Sequence, residues 1–500
     1  MKVLSPKQMY HLDTKTMEEF GIPSRVLMEN AGKGCADYIN KELLASANSE
    51  ISVFCGSGNN GGDGSVIARW LSEYNHIVTV FLLGNENKFS SETRANYDLL
   101  LKLNIPIIVI EDVEAWKAQR LPFIKSQIVI DAIFGIGFRG KIEGYYSSII
   151  KSINNSKKLI ISIDIPSGLD VETGMSELCV KADHTLTLAA LKYGHLIGRG
   201  REYCGKTTVI PIGIPAHYFA EVGISEHIDS ECHKLPERSK FSHKGDYGRV
   251  AIIAGSKGFT GAAVMASKAA LRSGAGLITL FHPKSLSNIF EIQLTEVMTS
   301  EIQEIEGKPD TADLLNRLEK YDIVLLGPGI GVSEYSKAIL EEILVKYQGK
   351  LVIDADGLNI LSNNRHLLNQ LAYRDILLTP HIGEFSRLCE KSITAIQADT
   401  IKALKEFIGK YRTKVLLKSS TTIYADESAL QFSTAGNDGL STGGSGDVLA
   451  GIIASFIGQG LLTRDASISA SYLLGKTAEK LAETKGTPSI TPTDIIANLF

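Results

Sequence analysis

The chain has six cysteines, Cys35, Cys55, Cys179, Cys204, Cys232 and Cys389, with no Cys-x-x-Cys pair and no metal-ligand spacing among them. They offer neither a disulfide framework nor a zinc site, and they read as reduced core residues of a cytoplasmic protein. Nowhere do about 18 apolar residues run together, and the first twelve residues lack the apolar segment and cleavage site of a signal peptide, so neither membrane insertion nor secretion is expected. Positive charge is not in excess: 52 Lys and Arg stand against 56 Asp and Glu, a formal net charge of −4. Without a basic field, nucleic acid and anionic membranes are not expected partners. Internal repeats and low-complexity tracts are missing, which sets aside solenoids and disordered tails. The Walker pattern GxxxxGK[ST] is also missing, which disfavours a P-loop nucleotidase. A small-molecule ligand remains the default.

What is present is a long chain, 500 residues with 44% hydrophobic and 22% charged residues and 46 glycines. That length exceeds what one core usually organises, and the glycine content suits a protein with many tight strand-to-helix turns. Short β-branched runs alternate with longer amphipathic stretches, the pattern of an α/β protein built on parallel sheets. In the first half the predicted strands are 51–55, 77–83, 107–110, 127–130, 158–163 and 184–188. In the second they are 249–254, 277–281, 322–326, 350–353, 376–378 and 415–417. Pro211, Pro215, Pro236 and a polar run break the rhythm between them, which predicts domains at 1–215 and 236–500 joined by a linker at 216–235.

The first motif, Cys55-Gly56-Ser57-Gly58-Asn59-Asn60-Gly61-Gly62-Asp63-Gly64, follows a predicted strand and opens a helix. Glycines let the backbone approach a ligand, and the helix N-terminus offers free N–H groups to a phosphate. A tight βα turn alone would explain the glycines, but not the amide and carboxylate side chains set among them. Three further segments sit at strand ends: Asp131 to Gly140, Asp164 to Asp170, and Lys192-Tyr193-Gly194-His195. Oxygens of Asn60, Asp131 and Ser167 could converge there, a donor set suited to a hard cation rather than zinc. Capping is the plain alternative for Asp131 and Asp164. His195 reads as a structural loop histidine.

These runs, with Met28-Glu29-Asn30-Ala31-Gly32, resemble the NAD(P)HX epimerase domain over roughly residues 1–215. The resemblance implies a Rossmann-like three-layer domain acting on NADH and NADPH hydrated at C6. It implies that Asn59, Asn60, Gly61, Gly62 and Asp63, with Gly135, Ile136, Gly137, Phe138, Arg139, Gly140 and Lys141, hold the dinucleotide. It further implies that Asn60, Asp131 and Ser167 bind K+, and that Asp164 contacts the altered ring and takes part in catalysis.

The second half carries its own series: His243 to Gly248, Gly255 to Ala263, Gly327-Pro328-Gly329-Ile330-Gly331, Asp354 to Asn359, Thr379 to Glu384, Lys418 to Thr422, and Gly443-Gly444-Ser445-Gly446-Asp447. The last precedes an apolar helix whose N-terminus points N–H groups and its positive dipole end at an anion. Asp447 in its first turn reads either as a cap or as a general base beside an anion hole, the arrangement phosphoryl transfer to a hydroxyl requires. Asp354 and Asp356 are candidates to organise magnesium or to support the site from behind. His381 and Lys418 alone would be a loop histidine and a solvated charge, but each lies at a predicted strand end.

This constellation resembles the ribokinase-like superfamily and, within it, the ADP- or ATP-dependent NAD(P)HX dehydratase domain, over about 236–500. The resemblance implies that Lys418, Ser419, Ser420, Thr421, Thr422 and Gly446 hold the nucleotide, and that Ala263, Gly329, His381 and Asp447 surround the hydrated nucleotide, with Asp447 catalytic. One departure is Ile382, where the family more often has proline. Expected cofactors are K+ in the first domain and Mg2+ in the second, with ADP, or ATP, as co-substrate. Expected partners are NADHX, NADPHX and further copies of the same chain. A ribokinase-like small-molecule kinase and a non-catalytic scaffold on the epimerase fold are the alternative functions.

Overall fold

The computed structural model describes residues 1–44, 48–222, 224–227 and 233–500. Cys232, read above as a core thiol, lies outside them. The chain divides into two compact units, Met1–Gly223 and Ile224–Phe500. The division falls inside the segment read as a linker, which carries a short helix, Tyr218–Glu221, and a strand, Ile224–His227.

The sheet of the first unit runs, edge to edge, Ile107–Ile110, Ile77–Leu83, Glu50–Gly56, Ile128–Ala132, Leu159–Ile163, His184–Leu188 and Lys206–Ile210, with every neighbouring pair parallel. The chain starts in the middle with Glu50–Gly56, builds outward on one side, then returns to build on the other. The order therefore reverses between Glu50–Gly56 and Ile128–Ala132. Open parallel sheets bind ligands at such a switch point, because the loops beyond the two strands diverge to opposite faces.

The glycine-rich motif lies beyond Glu50–Gly56 and opens helix Asn59–Glu73, whose residues Asn60 to Ala68 are all buried. Glycine is needed here for close approach: a Cβ on Gly61 would stand 1.8 Å from the carbonyl oxygen of Gly56. Gly61→Ala is therefore expected to destabilise the unit by about 1–3 kcal/mol or more. Gly58→Ala, where a Cβ meets nothing within 4 Å, should cost much less. Thermal unfolding of the two variants reads the difference, and equal losses would remove the packing argument.

Helix Pro6–Glu18 starts with a capping box, in which Ser5 Oγ accepts from the Gln8 N–H at 3.3 Å and Gln8 Oε1 accepts from the Ser5 N–H at 2.8 Å. It buries Met9, Leu12 and Thr16. Val3–Leu4 pairs in parallel with Leu191–Lys192, which brings the chain's first helix to the rim of the switch point.

In the second unit the sheet order is Ile224–His227, Ala429–Ser433, Thr422–Ala425, Lys414–Leu417, Ile376–Leu378, Lys350–Ile353, Ile323–Leu326, Arg249–Ile253, Leu277–Pro283 and Met298–Ile302. Thr422–Ala425 is antiparallel to both its neighbours; the other pairs are parallel. Every residue of Ile323–Leu326 is buried, as expected of a strand covered on both faces. Helix Ser445–Gly458 is buried on all sides from Val448 to Ile457, so its continuous apolar run is a core signal. No described helix is long and apolar enough to cross a membrane.

Candidate active sites at the strand rims

At the switch point of the first unit a cavity of about 450 Å³ is lined by Asn59, Asn60, Asp63, Gly135 to Phe138 and Asp164, together with Met9, Tyr10, Asp13 and Lys192. Of the residues singled out in the sequence, Gly61 and Gly62 do not line it. They face inward, where a Cβ would meet Gly56 or Met28. Arg139, Gly140 and Lys141 line a second space, about 720 Å³, which shares Phe138 with the first.

Asp164 follows strand Leu159–Ile163 and is held at φ 64°, a left-handed conformation unusual for a residue with a side chain. Its Oδ1 accepts from the buried Lys192 ammonium, from the Leu188 N–H at 3.2 Å and from Thr187 Oγ1 at 3.4 Å. None of the described hydrogen bonds goes to Oδ2, the oxygen left for a ligand. Burial opposes its ionisation, yet the Lys192 charge and these bonds hold it below the ordinary carboxylate value. Asp63 goes the other way: buried near Asp164 and Asp13, it is pushed well above that value.

His195 fixes this corner. Its Nδ1 accepts from the Lys192 N–H at 3.0 Å, so Nε2 carries the proton and donates to the Asp164 carbonyl at 2.9 Å. Burial, then the neighbouring Lys192, depress it to about 4. It stays neutral and orients the backbone, in keeping with the structural reading.

Asp131 and Ser167 do not line the cavity, and both are fully buried. Asp131 Oδ1 accepts from Ser167 Oγ at 2.5 Å and Oδ2 from Ser162 Oγ at 2.8 Å and the Ser167 N–H at 2.9 Å. Ser167 Oγ in turn accepts from the Phe134 N–H at 2.8 Å. Burial raises Asp131 despite these bonds. Asn60 differs: its amide nitrogen and oxygen are both buried without a partner. Such an orphan is costly, and it marks a place where a ligand completes the bonding.

In the second unit, four adjacent parallel strands deliver the motifs to one rim: Gly327 to Gly331 follow Ile323–Leu326, Asp354 follows Lys350–Ile353, Thr379 to His381 follow Ile376–Leu378, and Lys418 follows Lys414–Leu417. The turn at Gly327 admits only glycine, with φ 130° and a Cβ that would lie 1.9 Å from the Asp354 carbonyl oxygen. Lys418 Nζ donates to Asp354 Oδ1 at 2.7 Å and stands beside Gly446, whose Cβ would lie 3.4 Å from it. Burial lowers Lys418, but Asp354, Glu384 and Asp447 together raise it above the ordinary value, so it is a fixed cation at a helix N-terminus.

That helix, Ser445–Gly458, is preceded by Gly444 at φ 102°, and no side chain caps it. Asp447 in its first turn is therefore not acting as a cap. Burial, then Asp354, against the pull of Lys418, push Asp447 up to about 7. His381 does cap a helix: its Nδ1 accepts from the Gly383 N–H at 2.9 Å, while its own N–H donates to Glu384 at 2.8 Å. Asp356 accepts from the Gly331 N–H at 2.9 Å. Ala263 is wholly buried, and Gly329 turns against the Phe259 carbonyl. Ser419 and Ser420 are exposed, Thr421 is buried, and Thr422 starts the antiparallel strand.

Sequence reasoning assigned no role to Asp13 or Lys192. Asp13 had no motif around it, and Lys192 stood in the strand-end segment Lys192-Tyr193-Gly194-His195 without a role of its own.

The comparisons with known proteins follow this division. The family described as YjeF-related protein N-terminus matches residues 24–194, and the family described as NAD(P)H-hydrate dehydratase matches residues 250–500. The chain is 33% identical to a bifunctional NAD(P)H-hydrate repair enzyme of Moorella thermoacetica, over 99% of this chain and 95% of that one. It is also 33% identical to the enzyme of that name from Coxiella burnetii, over 96% and 95%. Among solved structures, an ADP/ATP-dependent NAD(P)H-hydrate dehydratase from Bacillus subtilis, co-crystallized with ATP/Mg2+, is 25% identical with a TM-score of 0.45, over 53% of this chain and 92% of that one. With relatives aligned along nearly its whole length, the chain belongs to the family of bifunctional NAD(P)H-hydrate repair enzymes, an epimerase half followed by a nucleotide-dependent dehydratase half.

Proposed function

We propose that the first cavity interconverts the R and S forms of hydrated NADH and NADPH through Asp164, and that the second rim dehydrates the S form with ADP, giving AMP and phosphate, through Asp447. The observation that carries this is shared by both halves: a carboxylate, the buried Asp164 in one and the half-buried Asp447 in the other, stands at a helix N-terminus that no side chain caps, at the carboxyl ends of parallel strands. In the second site Asp447 takes the proton of the C6 hydroxyl as that oxygen attacks the terminal phosphate. Helix N–H groups and Lys418 balance the charge that develops on the phosphate. Phosphorylation turns hydroxide into a good leaving group, and its departure with a neighbouring ring proton restores the double bond. Lys418 to Thr422 with Gly446 hold the nucleotide, while Gly329 and His381 border the hydrated ring with Ala263 behind them.

The experiment is direct. The purified chain is given a mixture of R and S hydrated NADH with ADP or ATP, and the dihydronicotinamide absorbance is followed. Full recovery is expected. Recovery of only the S share would remove the epimerase reading, and no recovery would remove the dehydratase reading.

Potassium fits the residues present. Asn60 offers an unpartnered buried oxygen, and Asp131 and Ser167, now bonded to one another, would supply further hard oxygen donors on exchanging that bond for the cation. A bound cation there would supply positive charge beside the dinucleotide. Asp131→Ala is expected to remove the potassium dependence of epimerisation and weaken substrate binding; unchanged kinetics between potassium and potassium-free buffer would overturn the assignment. Asp354, paired with Lys418, and Asp356, at the Gly331 turn, are the carboxylates at this rim that would hold a magnesium ion largely through water, where it would neutralise phosphate charge. The described cysteines, Cys35, Cys55, Cys179, Cys204 and Cys389, are all free thiols, which supports a reducing compartment such as the cytoplasm.

A further inference from the structure

Three carboxylates, Asp13, Asp63 and Asp164, and one ammonium, Lys192, meet in the first cavity. Three like charges in a poorly solvated space are not all ionised against a single cation, so the cluster holds a proton. Asp164 is not its carrier, because Lys192 keeps it a carboxylate. Lys192 is not free to give a proton either: its three N–H donors go to Asp164 Oδ1, Thr187 Oγ1 and the Leu188 carbonyl. That leaves Asp63 and Asp13.

Asp63 is packed inside helix Asn59–Glu73 and is only 8% exposed. Asp13 is half-buried on helix Pro6–Glu18, at the cavity rim beside Met9 and Tyr10; neither its carboxyl nor that of Asp63 takes part in the described hydrogen bonds, so exposure separates the two. Asp13 is the carboxyl with room to move against a ligand.

We propose that Asp13 is a catalytic residue of the epimerase, the group that lends a proton to the ring nitrogen while Asp164 holds the proton of the hydroxyl. The inference rests on the epimerase reading above. The hydroxyl-bearing carbon C6 is bonded to the ring nitrogen N1. Asp164 Oδ2 takes the hydroxyl proton, the O–H electrons form an aldehyde C=O, the C6–N1 pair passes to N1, and N1 takes the proton of Asp13. After rotation about C5–C6, N1 attacks the opposite face of the aldehyde, returns its proton to Asp13, and the oxygen recovers its proton from Asp164. Nothing is consumed, as an epimerisation requires.

The charged groups facing Asp13 are Lys192, Asp164 and Asp63. Burial lifts Asp13 to about 6, with Lys192 pulling it down and Asp164 pushing it up, a value near working pH, where a general acid is most effective.

The test uses the full chain and the purified R epimer of hydrated NADH, with S epimer measured by chromatography. Asp13→Asn is expected to lower kcat by roughly 10²- to 10⁴-fold with KM little changed, and Asp13→Glu to restore part of the rate. Because the acid must be protonated, the wild-type rate should fall as pH rises through the Asp13 range, and the asparagine variant should lose that alkaline limb. A wild-type kcat in Asp13→Asn, or a retained limb, overturns the proposal. So does an Asp63→Asn variant that loses the limb while Asp13→Asn keeps it. Should Asp13→Asn not fold, as read by thermal unfolding, a folded Asp13→Glu with an unmoved limb overturns it equally. A wild-type chain that leaves the R epimer unchanged instead removes the epimerase reading itself.

Discussion

Asp447→Asn is expected to slow dehydration of the S epimer by roughly 10²- to 10⁴-fold, the usual worth of a general base, while leaving the melting temperature almost unchanged. The contrast follows from the geometry. Were Asp447 a cap, asparagine would serve equally well and only alanine would cost about 1 kcal/mol. No side chain caps helix Ser445–Gly458, so neither substitution removes a cap, and the loss should appear in rate alone. The pH profile gives a second reading. Burial and the neighbouring Asp354 lift Asp447 to about 7, and a base works only when ionised. The wild-type rate should therefore rise with pH through about 7 and level off above it, a rise the asparagine variant lacks. A near-normal rate in Asp447→Asn would exclude the catalytic role.

Asp164→Asn is expected to abolish conversion of R to S epimer while dehydration of purified S epimer continues. This variant also disturbs stability, because Lys192 is left as a buried charge without its carboxylate. Breaking a buried pair by removing one partner typically costs about 3–5 kcal/mol. The asparagine amide still accepts a hydrogen bond, which places the expected loss at or below the lower end. Replacing both partners, Asp164→Asn with Lys192→Met, should recover much of the stability without recovering epimerisation. If the double variant regained activity, Asp164 would be a structural partner of Lys192 and not a catalytic group. Loss of both activities in a folded single variant would show that the sites depend on each other.

Much of the frame was legible because its signals are local. The β-branched runs at 77–83, 107–110 and 350–353 coincide with strands Ile77–Leu83, Ile107–Ile110 and Lys350–Ile353. The glycine motifs mark the turns beyond strands, since only a residue without a side chain permits the approach seen at Gly61 or Gly327. Of the strands that escaped notice, Lys206–Ile210 and Thr422–Ala425 carry β-branched residues too, but their runs are short and stand beside Gly205 and the Ser419-Ser420 turn, so they read as loop. Met298–Ile302 is a half-exposed edge strand with polar residues, and Thr422–Ala425 turns back antiparallel directly after Lys418. Ile224–His227 lies where proline and charge suggested a linker, and is a strand because its backbone pairs with Ala429–Ser433, far along the chain.

The sequence by itself determined the α/β architecture, the two halves and the family, because periodicity, turn chemistry and ordered motifs are written along the chain. Only the tertiary structure decided the partners and the charge state of each candidate group. It showed that Asp447 is lifted and is not a cap, and that Asp164 is kept ionised by Lys192. It also showed that His195 holds backbone in place, and that Asn60 is an orphan while Asp131 is satisfied. The physical reason is that a charge state is set by burial and by partners within a few ångströms. For Asp164 those partners are Lys192 and the Leu188 N–H, and for the cluster as a whole they include Asp13, on a helix brought to the site by the pairing of Val3–Leu4 with Leu191–Lys192 and by the packing of Met9 and Leu12.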